Sequence, residues 1–174
     1  MKGRPGKNES SEVRNVRRGT NVSGNKPGVL GIGLKQASEI VDQALAHARR
    51  SELPPMTVVV LDAGGRIVVM KREDGSSLLR PDIANAKAYG SLSMGMGSRA
   101  LGERAETHPA FVASVTALAG GQLVPVAGGV IIRDQADTVI GAVGVSGALP
   151  DQDEECALKG VELTGLSSQT GARH

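Results

Sequence analysis

The sequence is poor in aromatic residues, cysteine and long apolar runs, and each scarcity narrows the possible functions. Aromatic residues make up 1% of the chain, namely Tyr89 and Phe111, with no tryptophan. Nucleic-acid binding through stacking of bases on aromatic rings is therefore not expected. The single cysteine, Cys156, forms no intrachain disulfide, which is typical of a reducing compartment. The chain has no run of 18 apolar residues, so we expect no membrane-spanning helix.

The charged residues are unevenly distributed, and basic residues are concentrated in the N-terminal tail. Residues 1–27 hold seven Lys or Arg residues against two Glu, while the whole chain has a formal net charge of +2. This tail lacks apolar periodicity and is predicted to be disordered, residues 28–166 to form the folded domain, and residues 167–174 to fray. No apolar stretch follows the basic residues, so we expect no secretion signal and a cytoplasmic protein.

Apolar periodicity in residues 28–166 alternates between helical and strand patterns. Leu34 to Arg50 carries one apolar stripe at helical spacing and is followed by a Pro-Pro pair. Met56 to Leu61 and Arg66 to Lys71 are β-branched runs joined by a glycine turn, which indicates a hairpin. Further helices are predicted over residues 80–97, 100–107, 111–119 and 150–166, and strands over residues 124–133 and 138–145.

This order of elements predicts an α+β fold, with an antiparallel sheet flanked by helices. Hairpins dominate the pattern, and no repeated unit of strand, helix and parallel strand is present. The first hairpin is apolar almost throughout, so we expect both of its faces to be covered.

Residues 125–160 are the most informative segment, because glycines recur there at defined positions. Gly128 and Gly129 precede a strand, and Gly141, Gly144 and Gly147 follow at intervals of three. Glycine permits sharp turns and close approach of the backbone, so the segment predicts either a ligand-cradling loop or tight strand corners. The segment lacks a phosphate-loop Lys-Ser/Thr signature and the parallel context of a dinucleotide-binding motif.

Three polar residues beside glycine turns are the best candidates for binding or catalysis. Arg72 ends the first hairpin, and Lys87 lies in a helix among small residues. Ser146 lies between two glycines, Gly144 and Gly147. Arg72 and Lys87 together provide the cations that a carboxylate or propionate needs. Hydrolysis by Ser146 is not expected, because GVSGA departs from the hydrolase elbow and no His/Asp partner is indicated.

Four sequence blocks resemble the GlcG/HbpS haem-binding family, which also includes the C-terminal domain of PduO-type proteins. The blocks are the first helix, VVVLDAGGRIVVMKREDGS, DIANAKAYG and AGGVIIRDQADTVIGAVGVSGALPDQDEECALKG. The resemblance implies a profilin-like α+β domain that forms homo-oligomers and that binds haem or a corrinoid in some members. It also implies a set of residues that line or shape the pocket: Arg72, Asp74, Lys87, Gly128, Gly129, Gly144, Ser146 and Gly147.

Two residues depart from the family pattern, and one histidine falls within the well-matched blocks. Ile131 stands where the pattern often has proline, and Glu73 stands where it commonly has an apolar residue. The family has no fixed axial haem ligand to transfer. His47, on the first helix, is therefore the candidate metal ligand within the matched blocks.

Two functions from different classes fit these residues. The first is a small-molecule-binding domain for haem or a corrinoid, accessory to a catabolic pathway, in which Val and Ile strands form the apolar slot. The alternative is a cofactor-independent enzyme of the isomerase or lyase type, acting on a small oxo-acid or aromatic catabolite. Lys87 is then the general base, and Lys87→Met abolishes turnover with little change in melting temperature. A structural oligomer without a ligand is a third hypothesis.

Overall fold

The computed structural model of the protein describes residues 31–171. The predicted basic tail, residues 1–27, lies outside the described residues. Five helices and five strands follow one another in the described chain: α1 (Leu34–Arg50), β1 (Thr57–Asp62), β2 (Ile67–Arg72), α2 (Arg80–Met94), α3 (Ser98–Thr107), α4 (Pro109–Leu118), β3 (Gly129–Arg133), β4 (Val139–Ser146), α5 (Pro150–Glu162) and β5 (Ser167–Gln169).

The strands form one antiparallel sheet in the order β2-β1-β4-β3-β5, with helices on both faces. Helices α1 and α5 pack on one face, where they bury alternate valines of β1 and β4. Helix α2 packs on the other face, against Val59, Leu61 and Ala142. The predicted α+β fold with an antiparallel sheet and flanking helices is confirmed.

Helix α1 has the predicted bounds, and its apolar stripe is the side of the helix that is buried. Ala37, Ile40, Val41, Ala44 and Ala48 are all buried against the sheet and α5. Basic residues occupy the last turn, where they interact favourably with the negative end of the helix dipole. Within residues 31–171, no helix is long and apolar enough to cross a membrane.

The prediction that both faces of the first hairpin are covered is wrong for β2. This strand lies at the edge of the sheet, and α2 packs on β1, β4 and β3 instead. Ile67 and Met70, on the α2 side of β2, are therefore 52% and 40% exposed. The sequence pattern does not distinguish an edge strand from a central one, since both carry the same β-branched residues.

The C-terminal prediction is wrong for the residues that form β5. Residues 167–169 were expected to fray, yet they pair with Ile131, Ile132 and Arg133 of β3. The Arg133 guanidinium donates to the Gln169 side-chain oxygen over 2.7 Å, which holds the short polar strand in place. Ile131, the departure from proline, is buried in β3 between β4 and β5.

Other boundaries shift by a few residues. Helix α2 ends at Met94 because Gly95 adopts a left-handed conformation with φ +66° and caps the helix. Residues 124–127 form no strand, so β3 starts only at the second glycine of the pair.

Candidate functional site

Most of the predicted site residues meet at one end of the sheet, where α2 crosses β3 and β4. We call Lys87, Gly128, Gly129, Gly144 and Ser146 the sheet-end cluster. Lys87 comes from the middle of α2. The other four are the first residue of β3 and the glycine before it, and two residues of β4 towards its C-terminal end. The sequence therefore identified residues that are close in space, although the other four lie 41 to 59 positions after Lys87 in the chain.

Lys87 is the centre of this cluster and is almost fully buried. Its Nζ donates to Asp153 Oδ2 over 2.8 Å and to the Val145 carbonyl over 3.1 Å. The side chains of Lys87 and Asp153 are each 2% exposed. Asp153 lies in the first turn of α5, and its other oxygen accepts the Ala148 N–H over 2.9 Å. The pair thus joins α2, β4 and the start of α5.

Burial controls the electrostatics of Lys87. Desolvation lowers the pKa of its ammonium group, and the attraction of Asp153 offsets only part of this effect. Arg80 lowers this pKa further, because its positive charge is nearby. The ammonium group nevertheless has two hydrogen-bond acceptors, so the buried charge is paired.

The glycines of the cluster allow α2 to approach the sheet closely. A Cβ atom on Gly144 would lie 1.9 Å from the Ala84 carbonyl oxygen, and one on Gly129 would lie 2.4 Å from the Lys87 carbonyl oxygen. Gly128 has φ +119°, and a Cβ atom there would lie 2.8 Å from Lys87 Nζ. The space at these glycines is thus filled by α2 and by the Lys87 side chain. Their role as ligand-binding residues stays a prediction.

Ser146 is also buried, and it accepts a hydrogen bond from Arg80 Nη1 over 3.1 Å. In the sheet register Ser146 is opposite Thr57, which is opposite Arg72 on β2. Arg72 therefore lies at the same end of the sheet as the cluster, two strands away. Its side chain is exposed, unlike the cluster residues.

Arg72 and Asp74 line a separate surface depression of about 460 Å³, together with Arg49, Pro55 and Glu73. Glu73 links α1 to the sheet, since its carboxylate accepts the Met56 N–H over 2.7 Å and contacts Arg49 Nε at 3.0 Å. The departure from an apolar residue at Glu73 therefore has a structural explanation. The depression holds two cations and two carboxylates, so its charges are balanced.

His47, the predicted metal ligand, lies on the opposite face of the sheet from α2. Its side chain is 15% exposed, and its Nε2 atom is buried, 3.3 Å from Glu155 Oε1 on α5. An iron ion at Nε2 would need the space that Glu155 and α5 fill. The structure does not bring His47 together with the sheet-end cluster.

Cys156 is unsuited to chemistry at the surface. Its thiol is buried between α5 and the sheet, and desolvation raises its pKa to about 12, with further contributions from Asp153 and Glu155. A thiol with such a pKa is protonated and inert near neutral pH.

A second candidate site, which the sequence did not single out, lies where α3 meets α4. His108 is the single residue between the two helices. We call the surface depression of about 380 Å³ beside it the helix-corner depression, which is lined by Met96, Ala100, Glu103, Arg104, Thr107 and His108. The sequence pattern at this site is a histidine followed by a proline. This pattern occurs in many loops, so it does not by itself indicate a binding site.

Helix α4 is unusual because it is apolar yet exposed. It contains no charged residue, and Val112 is its buried residue. Phe111 is 43% exposed and Leu118 is 88% exposed. A groove of about 510 Å³ runs along this helix, which we call the α4 groove, lined by Ala105, Pro109, Val112, Ala113, Thr116, Ala117, Gly121 and Pro125.

The described residues offer no cluster of three or more His, Cys, Asp or Glu side chains that would hold a bare metal ion. This finding does not bear on the iron of a porphyrin, to which the ring itself supplies four ligands.

Solved structures show that other proteins share this fold. The PduOC–heme complex has a TM-score of 0.72 and 20% identity, covering 80% of this chain and 99% of that chain. The ORFY protein of Klebsiella pneumoniae has a TM-score of 0.72 and 22% identity, covering 81% and 95%. HbpS has a TM-score of 0.67 and 24% identity, covering 76% and 89%. At these identities the likeness shows the fold alone.

No curated protein matches the chain. A family model described as "Haem degrading protein HbpS-like" does match it, over residues 32–162. This range spans all five helices and the first four strands. The resemblance noted in the sequence is therefore confirmed, and the chain belongs to the HbpS-like family.

Proposed function

We propose that the protein binds haem on the surface formed by α3 and α4. The observation that carries this proposal is the exposed apolar helix α4 with its groove. A porphyrin ring needs an apolar surface to cover its faces, and apolar grooves of several hundred Å³ are typical of small-molecule sites. The membership of the HbpS-like family and the heme complex of PduOC support haem as the ligand.

The residues around α4 also fit the charged edge of haem. Arg104 lies with its guanidinium carbon 4.8 Å from the centre of the Phe111 ring, and it lines the helix-corner depression. A guanidinium group binds carboxylates such as propionates in a fixed, two-pronged geometry. Glu103 lines the same depression, which therefore contains one protein carboxylate as well as the Arg104 cation.

A corrinoid is the other ring that the family resemblance suggests. It presents a similar apolar ring but carries amide side chains in place of propionates. The Arg104 guanidinium favours the ligand with carboxylates, so we propose haem over a corrinoid.

Catalysis by Lys87 is not part of this proposal. A general base must accept a proton from a substrate within hydrogen-bond reach. Lys87 Nζ is buried by α2 and the sheet, and it already donates to Asp153 and Val145. Its contacts support a structural role, in which the ion pair fixes α2 against α5.

Titration of the purified protein with haemin tests the proposal. We expect a shifted and sharpened Soret band that saturates at one haem per chain, and a smaller or absent response to cobalamin. A Soret band identical to that of free haemin at all ratios would contradict haem binding. A folded protein of similar size without a haem site, under the same conditions, serves as a control for non-specific binding.

We further propose that the chain forms a homo-oligomer and serves a catabolic pathway in the cytoplasm as an accessory protein. Exposed apolar residues support self-association, since edge strand β2 carries Ile67 and Met70, and the loop after it carries Leu78 and Leu79. Large exposed apolar patches commonly mark protein interfaces. Sedimentation equilibrium gives the mass in solution, and the mass of a single chain over a wide concentration range would contradict the oligomer.

A further inference from the structure

Iron in haem needs an axial ligand, and the described residues contain two histidines. His47 is poorly placed for this purpose, because its Nε2 atom is buried against Glu155. His108 differs in burial, since its side chain is exposed at the junction of α3 and α4. His108 lines the helix-corner depression, where its imidazole is accessible to a bulky ring.

The hydrogen bonds around His108 leave one ring nitrogen free to bind iron. Nδ1 lies 2.9 Å from the Thr107 hydroxyl. In the tautomer with the proton on Nδ1, this nitrogen donates to the hydroxyl, which in turn donates to the Arg104 carbonyl over 3.3 Å. The Nε2 atom then carries the lone pair, and no described side chain occupies it. Metal-binding histidines have this arrangement, in which the second nitrogen donates to a fixed acceptor.

The backbone holds His108 in a defined orientation. Its N–H donates to the Arg104 carbonyl over 2.8 Å, and its own carbonyl accepts the Val112 N–H over 3.1 Å. The following Pro109 restricts the conformation of His108, which has φ −133° and ψ 58°. The imidazole is thus attached to a rigid corner, and it does not lie on a long loop.

The residues around His108 offer further features that suit haem. The small side chain of Ala100 lines the depression, and Arg104 provides a cation for a propionate. Met96 brings a thioether, which packs well against aromatic rings and is itself a known type of haem ligand. The apolar helix α4 begins at the next residue, Pro109, which lines the α4 groove.

From this geometry we propose that His108, through Nε2, is the axial iron ligand of bound haem. The proposal rests on the haem binding proposed above and identifies the residue that makes the bond. It replaces His47, on α1, by a histidine outside the well-matched blocks of the sequence.

The test is a haemin titration of four proteins followed by absorbance: wild type, His108→Ala, His108→Gly and the matched control His47→Ala. We expect His47→Ala to keep the wild-type Soret band. His108→Ala should bind at least about tenfold more weakly, and its spectrum should lose the bands of imidazole-ligated ferric haem. Addition of free imidazole to the haemin complex of His108→Gly should restore those bands. Circular dichroism melts verify that each variant is folded.

The outcomes separate the two proposals. If wild type itself gives no Soret shift, haem binding fails, and the assignment of His108 fails with it. If wild type binds haemin and His108→Ala has the same spectrum and affinity, haem binding stands but His108 is not the ligand. Loss of binding in His47→Ala with retention in His108→Ala would return the assignment to His47. Loss in His108→Ala with imidazole rescue in His108→Gly supports His108.

Discussion

Removal of the Lys87 charge should destabilise the fold strongly, because the buried pair is then broken. Lys87→Met keeps most of the side-chain volume but leaves the Asp153 carboxylate buried with a single remaining donor, the Ala148 N–H. Loss of one partner of a buried ion pair costs about 3–5 kcal/mol. For a domain of this size that corresponds to a decrease in melting temperature of about 10–15 °C.

The matched control is Lys159→Met. Lys159 pairs with Glu162 on the surface of α5, where both side chains are about half exposed. Exposed pairs contribute little to stability, so we expect the control to unfold at the wild-type midpoint. Urea unfolding followed by circular dichroism measures both variants under the same conditions.

A double-mutant cycle isolates the pair from the rest of the structure. Asp153→Asn keeps an acceptor for Ala148 but removes the charge, and the double variant Lys87→Met with Asp153→Asn contains no unpaired buried charge. We expect the double variant to be more stable than the sum of the single effects predicts, by about 1 kcal/mol or more. The structural role of Lys87 would be refuted if the effects of the two substitutions on the free energy of unfolding were additive, or if Lys87→Met had the wild-type melting temperature. Either result would favour a catalytic role for Lys87.

Two further predictions concern packing and the buried thiol. Gly144→Ala places a Cβ atom against the Ala84 carbonyl and should lower the free energy of unfolding by about 2 kcal/mol or more in urea melts, whereas Gly171→Ala, which faces open space, should have no measurable effect. The Cys156 thiol should not react with Ellman's reagent at pH 8 in the native protein but should react fully in urea; rapid native reaction would contradict its burial. Because the folded pKa of Cys156 is raised from 9.0 to about 12, its contribution to stability is fully present below pH 9. It is then lost as the pH rises towards 12, so wild type should lose stability relative to Cys156→Ala in this range.

Local patterns in the sequence predicted most of the fold. The apolar stripe and the Pro-Pro pair defined α1, and the β-branched runs around glycine turns defined β1, β2 and β4. These signals depend on residues within one element, so a single sequence contains them. Strand β5 was missed because Ser167 and Gln169 have no strand pattern of their own, and β3 provides the pairing.

The site was harder to predict, because it depends on contacts between distant residues. The sequence indicated that Lys87 has small neighbours, but its partner Asp153 lies 66 positions further along the chain. Because Asp153 is close to Lys87 in the fold, the ammonium group forms an ion pair and does not point into an open pocket. The sequence likewise shows His108 as a histidine before a proline. Its exposure, and the position of Met96 in the same depression, depend on the tertiary packing of α3.

Hydrogen exchange with mass spectrometry, with and without haemin, tests haem binding at the α3–α4 corner most directly. We predict that haemin slows exchange in peptides that cover residues 96–118, which contain the helix-corner depression and six of the eight residues that line the α4 groove. Peptides of α1 around His47 should exchange at the same rate in both samples. Protection confined to α1, or protection at the sheet-end cluster without any change in residues 96–118, would contradict the proposed site.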